Sequence, residues 1–139
     1  DEYIVDLAKK NKISKKLKPL FGGISLHLSC HSRAQNIGPK AHQMLKLIPE
    51  TNIDLVEKCS GHGGSWGIKK GNFDIALKIG KIPTKTIISK NNKYISSTCP
   101  LAGEHITQIK EISEDNKKEK IMSRHPIELL AFSYGLINL

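Results

Sequence analysis

From residue 22 onward the sequence alternates between strand-like and helix-like hydrophobic patterns, and this alternation allows few folds. Apolar residues at every second position predict a first strand over residues 24–28. A second strand containing Ile53, Leu55 and Val56 is predicted to end at Cys59, and a third is predicted over residues 94–97. Helical spacing and two prolines predict four helices, which are residues 41–48, residues 66–79, a helix from Pro100 and a helix from Pro126. The short connections favour one small α/β domain with a mostly parallel sheet flanked by helices.

Two boundaries in this pattern depend on proline and glycine. Pro49 is expected to end the first helix, and Gly80 is expected to cap the second at its C-terminus. Residues 82–92 are ambiguous, because Thr86 and its isoleucine neighbours favour a strand whereas Pro83 allows a short helix.

Positive charge is concentrated near the start of the chain. Six lysines and no acid fall within residues 9–18, and the net charge of the whole 139-residue sequence is +9. Clustered like charge usually stays hydrated, so residues 1–20 are predicted to be a basic leader or linker and residues 21–139 the α/β domain. Docking to an acidic partner or to an anionic membrane surface is the alternative for the lysines.

The composition argues against a nucleic-acid-binding protein. Aromatic residues make up 5% of the chain, and the only arginines are Arg33 and Arg124, so few side chains could stack on bases or read them. A second polar stretch, residues 113–120, has mixed charges and is predicted to be a surface loop.

Cysteine usage and the absence of targeting signals indicate a cytoplasmic protein. Three cysteines are too few, and odd in number, for the disulfide framework of a small secreted domain. No window approaches the roughly 18 to 20 apolar residues of a membrane span, and the N-terminus lacks the order of a signal peptide. Because the first residue is Asp1, the chain is expected to be a processed product or part of a longer protein.

Each cysteine lies just after a predicted strand and before a helix. Cys30, Cys59 and Cys99 should therefore meet at one edge of the sheet, because the carboxyl ends of parallel strands lie together. Helix N-termini at that edge are expected to lower the pKa of the thiols and to stabilise an anionic, sulfur-rich centre. This pattern predicts a thiolate-bound metal or cluster, although any one cysteine alone is more typical of buried, inert core.

The loop after Cys59 supplies the other candidate residues. His62 lies three residues further on and could complete a site of three cysteines and one histidine, or it could cap the next helix or bind a loop carbonyl. Gly61, Gly63 and Gly64 are predicted to let the backbone approach a cofactor. Their spacing does not fit a dinucleotide or phosphate loop, because Trp66 stands where a third glycine is required.

The remaining histidines are assigned structural places. His27 is expected on the polar side of the first strand and His42 on the solvent side of its helix. His105 is predicted to be a satisfied core histidine, with hydrogen bonding to a metal ligand as the alternative. His125 is predicted to begin the last helix. No catalytic residue is predicted, because no set of a nucleophilic cysteine, a histidine and an amide or acid stands out.

Three segments carry a family resemblance, namely CSGHGGSWG (59–67), STCPLAGEHI (97–106) and HPIELLAFSYGL (125–136). They resemble the cysteine-rich CCG domain of heterodisulfide-reductase-related iron–sulfur proteins, in particular the branch that includes an iron–sulfur subunit of anaerobic glycerol-3-phosphate dehydrogenase. The resemblance covers residues 21–139. It implies that a ferredoxin-like domain and a first CCG domain precede this one, and that electrons pass between a dehydrogenase and an acceptor, often at the membrane.

The match to the family's cysteine pattern is partial. Cys30 matches the early cysteine, Cys59 and Gly61 match the outer residues of Cys-Cys-Gly, and Cys99 matches the first residue of Cys-x-x-Cys. Ser60 and Ala102 stand where two further thiols belong. The resemblance therefore implies a centre simpler than the fused double cubane, held by three thiolates and either His62 or an outside ligand.

Three functional hypotheses follow from the sequence. The first is an iron–sulfur electron-transfer domain of a heterodisulfide-reductase-like or glycerol-3-phosphate-dehydrogenase-like oxidoreductase. Such a domain would dock on a redox partner subunit, and it could also contact the inner face of the membrane. The second is an assembly domain with a structural zinc or an empty site. The third is thiol–disulfide or persulfide chemistry, which needs two cysteines with Cα atoms under about 7 Å apart.

Overall fold

The computed structural model describes residues 1–36, 38–113 and 122–139. In these ranges the strands are β1 (Ile24–His27), β2 (Ile53–Val56), β3 (Tyr94–Ser97) and β4 (Ser123–Arg124). They form one parallel sheet in the order β2-β1-β3-β4. The predicted α/β class with a parallel sheet is confirmed. Strand β3 has the predicted bounds, and β2 begins at the predicted residue but ends at Val56, three residues before Cys59. The two-residue β4 has too little pattern of its own to be read from sequence.

The helices of the described ranges are α1 (Glu2–Lys9), α2 (Cys30–Ala34), α3 (Lys40–Leu45), α4 (Phe73–Ser89), α5 (Pro100–Ser113) and α6 (Pro126–Ser133). One apolar cluster joins β1 with α1, α3 and α6. A second joins β2 and β3 with α4 and α5. Side chains alternate along each strand, so the two clusters lie on opposite faces of the sheet. No helix in the described ranges has the length and apolar character needed to cross a membrane.

Strand β1 lies between β2 and β3 in a sheet that carries helices on both faces. All four of its residues are buried, including Ser25 and His27. The prediction that His27 lies on a polar side of the strand is therefore wrong. The alternation of polar and apolar residues is typical of a strand with one wet face, but a central strand of a parallel sheet has none.

The bounds of helix α4 differ from the predicted ones. The helix begins at Phe73 rather than at residue 66, and Gly80 lies in its middle rather than at its C-cap. A Cβ at Gly80 would clash with the Ile109 side chain and the Ser60 carbonyl, so the glycine permits close packing of α4 on its neighbours. Residues up to Ser89 continue the helix, which confirms the helical alternative after Pro83 and excludes the strand.

The N-terminal segment differs from a wholly solvated leader. The lysines within residues 9–18 are exposed, as predicted. However, residues 2–9 form α1, and Val5 and Leu20 are buried in the first apolar cluster. The eight-residue α1 carries an apolar stripe that the lysine run obscures in the sequence. The division of the chain at residue 20 stays a prediction, and residues 114–120 of the predicted surface loop lie outside the described residues.

The two helices predicted to begin at prolines do so. Helix α5 starts at Pro100, and its apolar residues Leu101 and Ile112 are exposed. Helix α6 starts at Pro126, and His125 is its N-cap, as predicted. The His125 Nδ1 accepts a hydrogen bond from the Ile127 amide at 3.3 Å, and the Glu128 carboxylate accepts one from the His125 amide at 2.6 Å. These two bonds form a capping box.

Candidate metal centre

The three cysteines follow three adjacent strands at the carboxyl edge of the sheet. Cys30 is the first residue of α2 after β1, Cys59 follows β2, and Cys99 follows β3 immediately before α5. All three are free thiols; Cys30 and Cys59 are exposed and Cys99 is half-buried. The exposure of Cys30 and Cys59 argues against the buried, inert role that a single cysteine usually has.

The thiols of Cys30 and Cys59 are near enough for one to affect the pKa of the other. Desolvation raises the pKa of Cys30, and the negative charge and hydrogen bond of Cys59 raise it further, while the Arg33 guanidinium opposes both. The expected net lowering of the thiol pKa is therefore not found at Cys30. A backbone amide hydrogen bond does lower this pKa, but burial and the neighbouring Cys59 thiol raise it more.

The first glycine after Cys59 has a packing role that the sequence does not reveal. Gly61 has a φ of +81°, and a Cβ there would clash with the Ala76 carbonyl of α4. Its amide N–H also points to the Cys59 sulfur, at 3.4 Å. Gly63 and Gly64 also have positive φ angles, but Gly64 has open space around it. Cofactor approach at these three glycines stays a prediction.

His62 packs against another histidine. Its ring centroid lies 5.8 Å from that of His105 in an edge-on arrangement, and the two rings line a cavity of about 360 Å³ with Phe73. Burial and the charge of His105 lower the pKa of His62. No three His, Cys, Asp or Glu side chains within the described part of the chain are close enough to hold one metal ion. The role of His62 as a ligand stays a prediction.

His105 lies in the core as predicted, but it is not satisfied. Its ring is edge-on to Phe73 at 6.3 Å between centroids. Its Nε2 is buried and has no hydrogen-bond partner among the residues that the structure describes. The residue before it in the chain faces the same cavity, because Glu104 also contributes to the lining.

Hydroxyl groups tie the start of α2 to the end of β3. The Ser29 amide donates to Thr98 Oγ1 at 3.0 Å, and the hydroxyl oxygens of Ser29 and Thr98 are 2.8 Å apart. The Ser32 hydroxyl also donates to Thr98 Oγ1, at 3.1 Å. These bonds fix the position of Cys30 relative to the loop of Cys99. Serine and threonine occur in most loops, so no sequence signal singles out this cluster.

His27 is the residue of the site region that the sequence places wrongly. Its Nδ1 is 3.0 Å from the Ser97 hydroxyl oxygen, and its Nε2 is 2.9 Å from the Lys58 carbonyl oxygen. Burial lowers its pKa, and the hydrogen bond to the Lys58 carbonyl partly offsets that effect. The imidazole thus bridges the ends of β2 and β3. The available signal is its position in the strand that becomes central in the sheet.

The protein is expected to lose stability as the pH falls below about 6.5, the ordinary pKa of histidine. Burial lowers the pKa of His27 in the fold, so at acidic pH the unfolded chain takes up a proton that the folded chain does not. The stabilisation is complete above about pH 6.5 and is lost as the pH falls through the folded pKa. Urea unfolding at about pH 7.5 and about pH 5.5 measures the loss, which should be smaller in His27→Gln. An equal loss in both proteins would contradict the assignment to His27.

A parallel α/β domain with a free cysteine after each of three adjacent strands defines a small cysteine-rich domain. The model of the CCG family, described as a cysteine-rich domain, matches residues 24–107. The chain belongs to this family. The family membership predicted from the sequence is confirmed.

The chain is similar to several archaeal proteins. It is 38% identical to an uncharacterised iron–sulfur protein of Methanocaldococcus jannaschii over 108 residues. This aligned region covers 76% of this chain and 22% of the relative. It is 29% identical to a subunit of the dihydromethanophenazine:CoB–CoM heterodisulfide reductase of Methanosarcina barkeri, over 97% of this chain and 33% of the relative. It is 29% identical to a subunit of the fumarate reductase (CoM/CoB) of Methanothermobacter marburgensis, over 86% of this chain and 24% of the relative. The chain thus spans between about a fifth and a third of the length of these relatives.

Proposed function

We propose that this chain is an iron–sulfur electron-transfer domain of a multisubunit oxidoreductase in the cytoplasm. The observation that carries the proposal is the set of three free thiols at one sheet edge, of which Cys30 and Cys59 are near enough to interact electrostatically. The names of the relatives support it, since they include iron–sulfur proteins and reductase subunits. Cys30, Cys59 and Cys99 bind the cluster, and His62 or a ligand from outside the chain completes it.

The chemistry of the donor set fits an iron–sulfur cluster. Thiolates are soft ligands that suit iron–sulfur clusters, and the exposed sulfurs of Cys30 and Cys59 are accessible to one. A bound cluster supplies one-electron transfer. The residues of this chain hold it and tune its potential, for which the Gly61 amide N–H directed at the Cys59 sulfur is suited.

The partner is a second protein chain that gives electrons to the cluster or accepts them. The relatives from the heterodisulfide reductase and the fumarate reductase are both named as subunits, which supports an assembly of this kind. The exposed thiol edge is the shortest route for electrons into or out of the domain. The exposed lysines of residues 9–18 are suited to an acidic surface on the partner. An anionic membrane surface is the alternative, and the same charge would bind it.

Anaerobic purification, with analysis of iron and acid-labile sulfide, tests the proposal. The expected result is a brown protein that contains both iron and sulfide, with the visible absorption of a cluster. A colourless protein that contains neither after anaerobic reconstitution would overturn it. Bound zinc without sulfide would instead support the non-catalytic assembly domain.

The electrostatic interaction between the Cys30 and Cys59 thiols favours a second candidate function, thiol–disulfide exchange. The two thiols can reduce an organic disulfide, which accepts two electrons and two protons and leaves as two thiols while a Cys30–Cys59 disulfide forms. Their exposure makes attack by a small disulfide feasible. Cys99 is half-buried and is not part of this pair.

Treatment of the metal-free protein with an organic disulfide is expected to link Cys30 to Cys59 and to leave Cys99 reduced. The reason is that the first two thiols are exposed and near enough to interact electrostatically, whereas Cys99 is half-buried. Peptide mapping by mass spectrometry after alkylation identifies the linked pair. Cys30→Ser is the control, and it should yield a mixed disulfide with the reagent instead. A disulfide that includes Cys99 in the unmodified protein would contradict the expectation.

A further inference from the structure

We propose that His27 is a positioning residue that sets the separation of the Cys59 and Cys99 loops through a chain of buried hydrogen bonds. The chain runs from the Cys99 amide to the Ser97 hydroxyl, on to the His27 imidazole, and from there to the Lys58 carbonyl. His27 contacts neither loop's thiol. Its consequence for cluster binding rests on the proposed function, whereas the hydrogen-bond chain itself does not.

The direction of each bond follows from the groups involved. The Lys58 carbonyl can only accept, so His27 Nε2 carries the proton and donates across 2.9 Å. Burial keeps the ring neutral, so Nδ1 has a free lone pair and accepts the Ser97 hydroxyl proton across 3.0 Å. The Ser97 oxygen in turn accepts the Cys99 amide proton across 3.3 Å. Every donor in the chain points from the Cys99 loop towards the Cys59 loop.

The position of these groups makes the link rigid. His27 and Ser97 are each 1% exposed, and they are direct partners in the register of β1 and β3. Water therefore cannot replace a lost partner, and a buried donor or acceptor without one costs about 1–3 kcal/mol. The imidazole spans from β3 to the residue before Cys59, so its width helps to fix the distance between the two loops.

A link of this kind affects a metal site without contacting the metal. Groups that orient the ligands typically change metal affinity by about 10–100-fold when they are removed. The hydroxyl cluster of Ser29, Ser32 and Thr98 positions Cys30 relative to the Cys99 loop, whereas the link through His27 joins the Cys59 and Cys99 loops. His27 lies in the central strand of the three, where one side chain can reach both neighbouring loops.

Four variants separate the parts of the link. His27→Leu removes both hydrogen bonds and keeps an apolar side chain in the core. His27→Gln keeps an amide donor for the Lys58 carbonyl. Ser97→Ala removes the hydrogen bonds to the Cys99 amide and to His27 Nδ1 but leaves His27 bonded to the Lys58 carbonyl. His42→Gln is the matched control, because it replaces a half-buried histidine on α3, outside the chain of hydrogen bonds.

The first measurement uses the metal-free chain and does not depend on a cluster. Nitrogen-15 NMR should show His27 with the proton on Nε2, and hydrogen exchange of the Cys99 amide should be about tenfold faster in His27→Leu than in the wild type. Ser97→Ala should accelerate the same amide, and His42→Gln should not. A proton on Nδ1, or unchanged exchange in both His27→Leu and Ser97→Ala, would overturn the link. If His27→Leu does not fold, His27→Gln and Ser97→Ala decide the outcome.

The second measurement follows iron transfer from the reconstituted protein to a chelator. Iron loss should be about 10–100-fold faster from His27→Leu, intermediate from His27→Gln, and unchanged from His42→Gln. Equal rates in His27→Leu and the wild type would overturn the positioning role. If the wild type binds no iron, the proposed function fails, and the NMR and exchange results still decide whether His27 links the loops.

Discussion

Cys59→Ser is expected to retain roughly a tenth or less of the iron that the wild type binds after anaerobic reconstitution. A serine hydroxyl remains protonated at neutral pH and is a poor ligand for the soft iron of a cluster. Cys59 also shares its surroundings with Cys30, so its loss leaves that thiol without its sulfur partner. Iron and sulfide analysis together with visible absorption measures the loss.

The same variant gives a second readout in the metal-free protein. The charge and hydrogen bond of Cys59 raise the pKa of Cys30, so in Cys59→Ser this pKa should fall towards its ordinary value. The pH dependence of Cys30 alkylation should therefore shift to lower pH. Burial still raises the pKa in part, because it is the largest cause of the shift.

Lys58→Ala is the control for the position next to Cys59. It removes an exposed side chain but keeps the backbone carbonyl that accepts from His27, so iron binding should match the wild type. Full iron and sulfide content in Cys59→Ser would contradict the assignment of this thiol as a ligand. Loss of iron in both variants would point to disruption of the loop instead.

Gly61→Ala is expected to lower the free energy of unfolding by about 2–4 kcal/mol. A non-glycine residue at a φ of +81° is strained, and the added Cβ would also clash with the Ala76 carbonyl of α4. The loop and the helix must then separate, which also disturbs the contacts of α4 with α5. Urea unfolding followed by circular dichroism measures the change.

Gly64→Ala is the matched comparison in the same loop. Gly64 also has a positive φ, of +61°, but no atom lies within 4 Å of an added Cβ. The expected loss is about 1 kcal/mol, from backbone strain alone. Equal losses in the two variants would show that the contact between Gly61 and α4 has no energetic weight.

The local pattern of the sequence was sufficient where an element depends on its own residues. The hydrophobic pattern predicted the start of β2 and both bounds of β3, and Pro100 and Pro126 marked the first turns of α5 and α6. It failed where tertiary packing decides the outcome. Gly80 is typical of a helix end, but it lies inside α4 because a larger residue would not fit against Ser60 and Ile109.

The positions of the site residues also depend partly on local sequence and partly on tertiary packing. The position of each cysteine relative to a strand is local, and the parallel topology then places all three at one edge. Which side chains meet across that edge depends on loop conformation. The sequence alone gives no reason why Cys59 affects the pKa of Cys30, or why the His62 ring packs against the His105 ring.

The sequence by itself determined the fold class, the family and the edge of the sheet that carries the thiols, because hydrophobic periodicity and motif residues act over a few positions. Only the tertiary structure decided the partners of His27. They lie 31 and 70 residues away from it, and no local pattern encodes hydrogen bonds over such separations. A polar residue in a strand is read as solvent-facing until the neighbouring strands and helices are known to cover it.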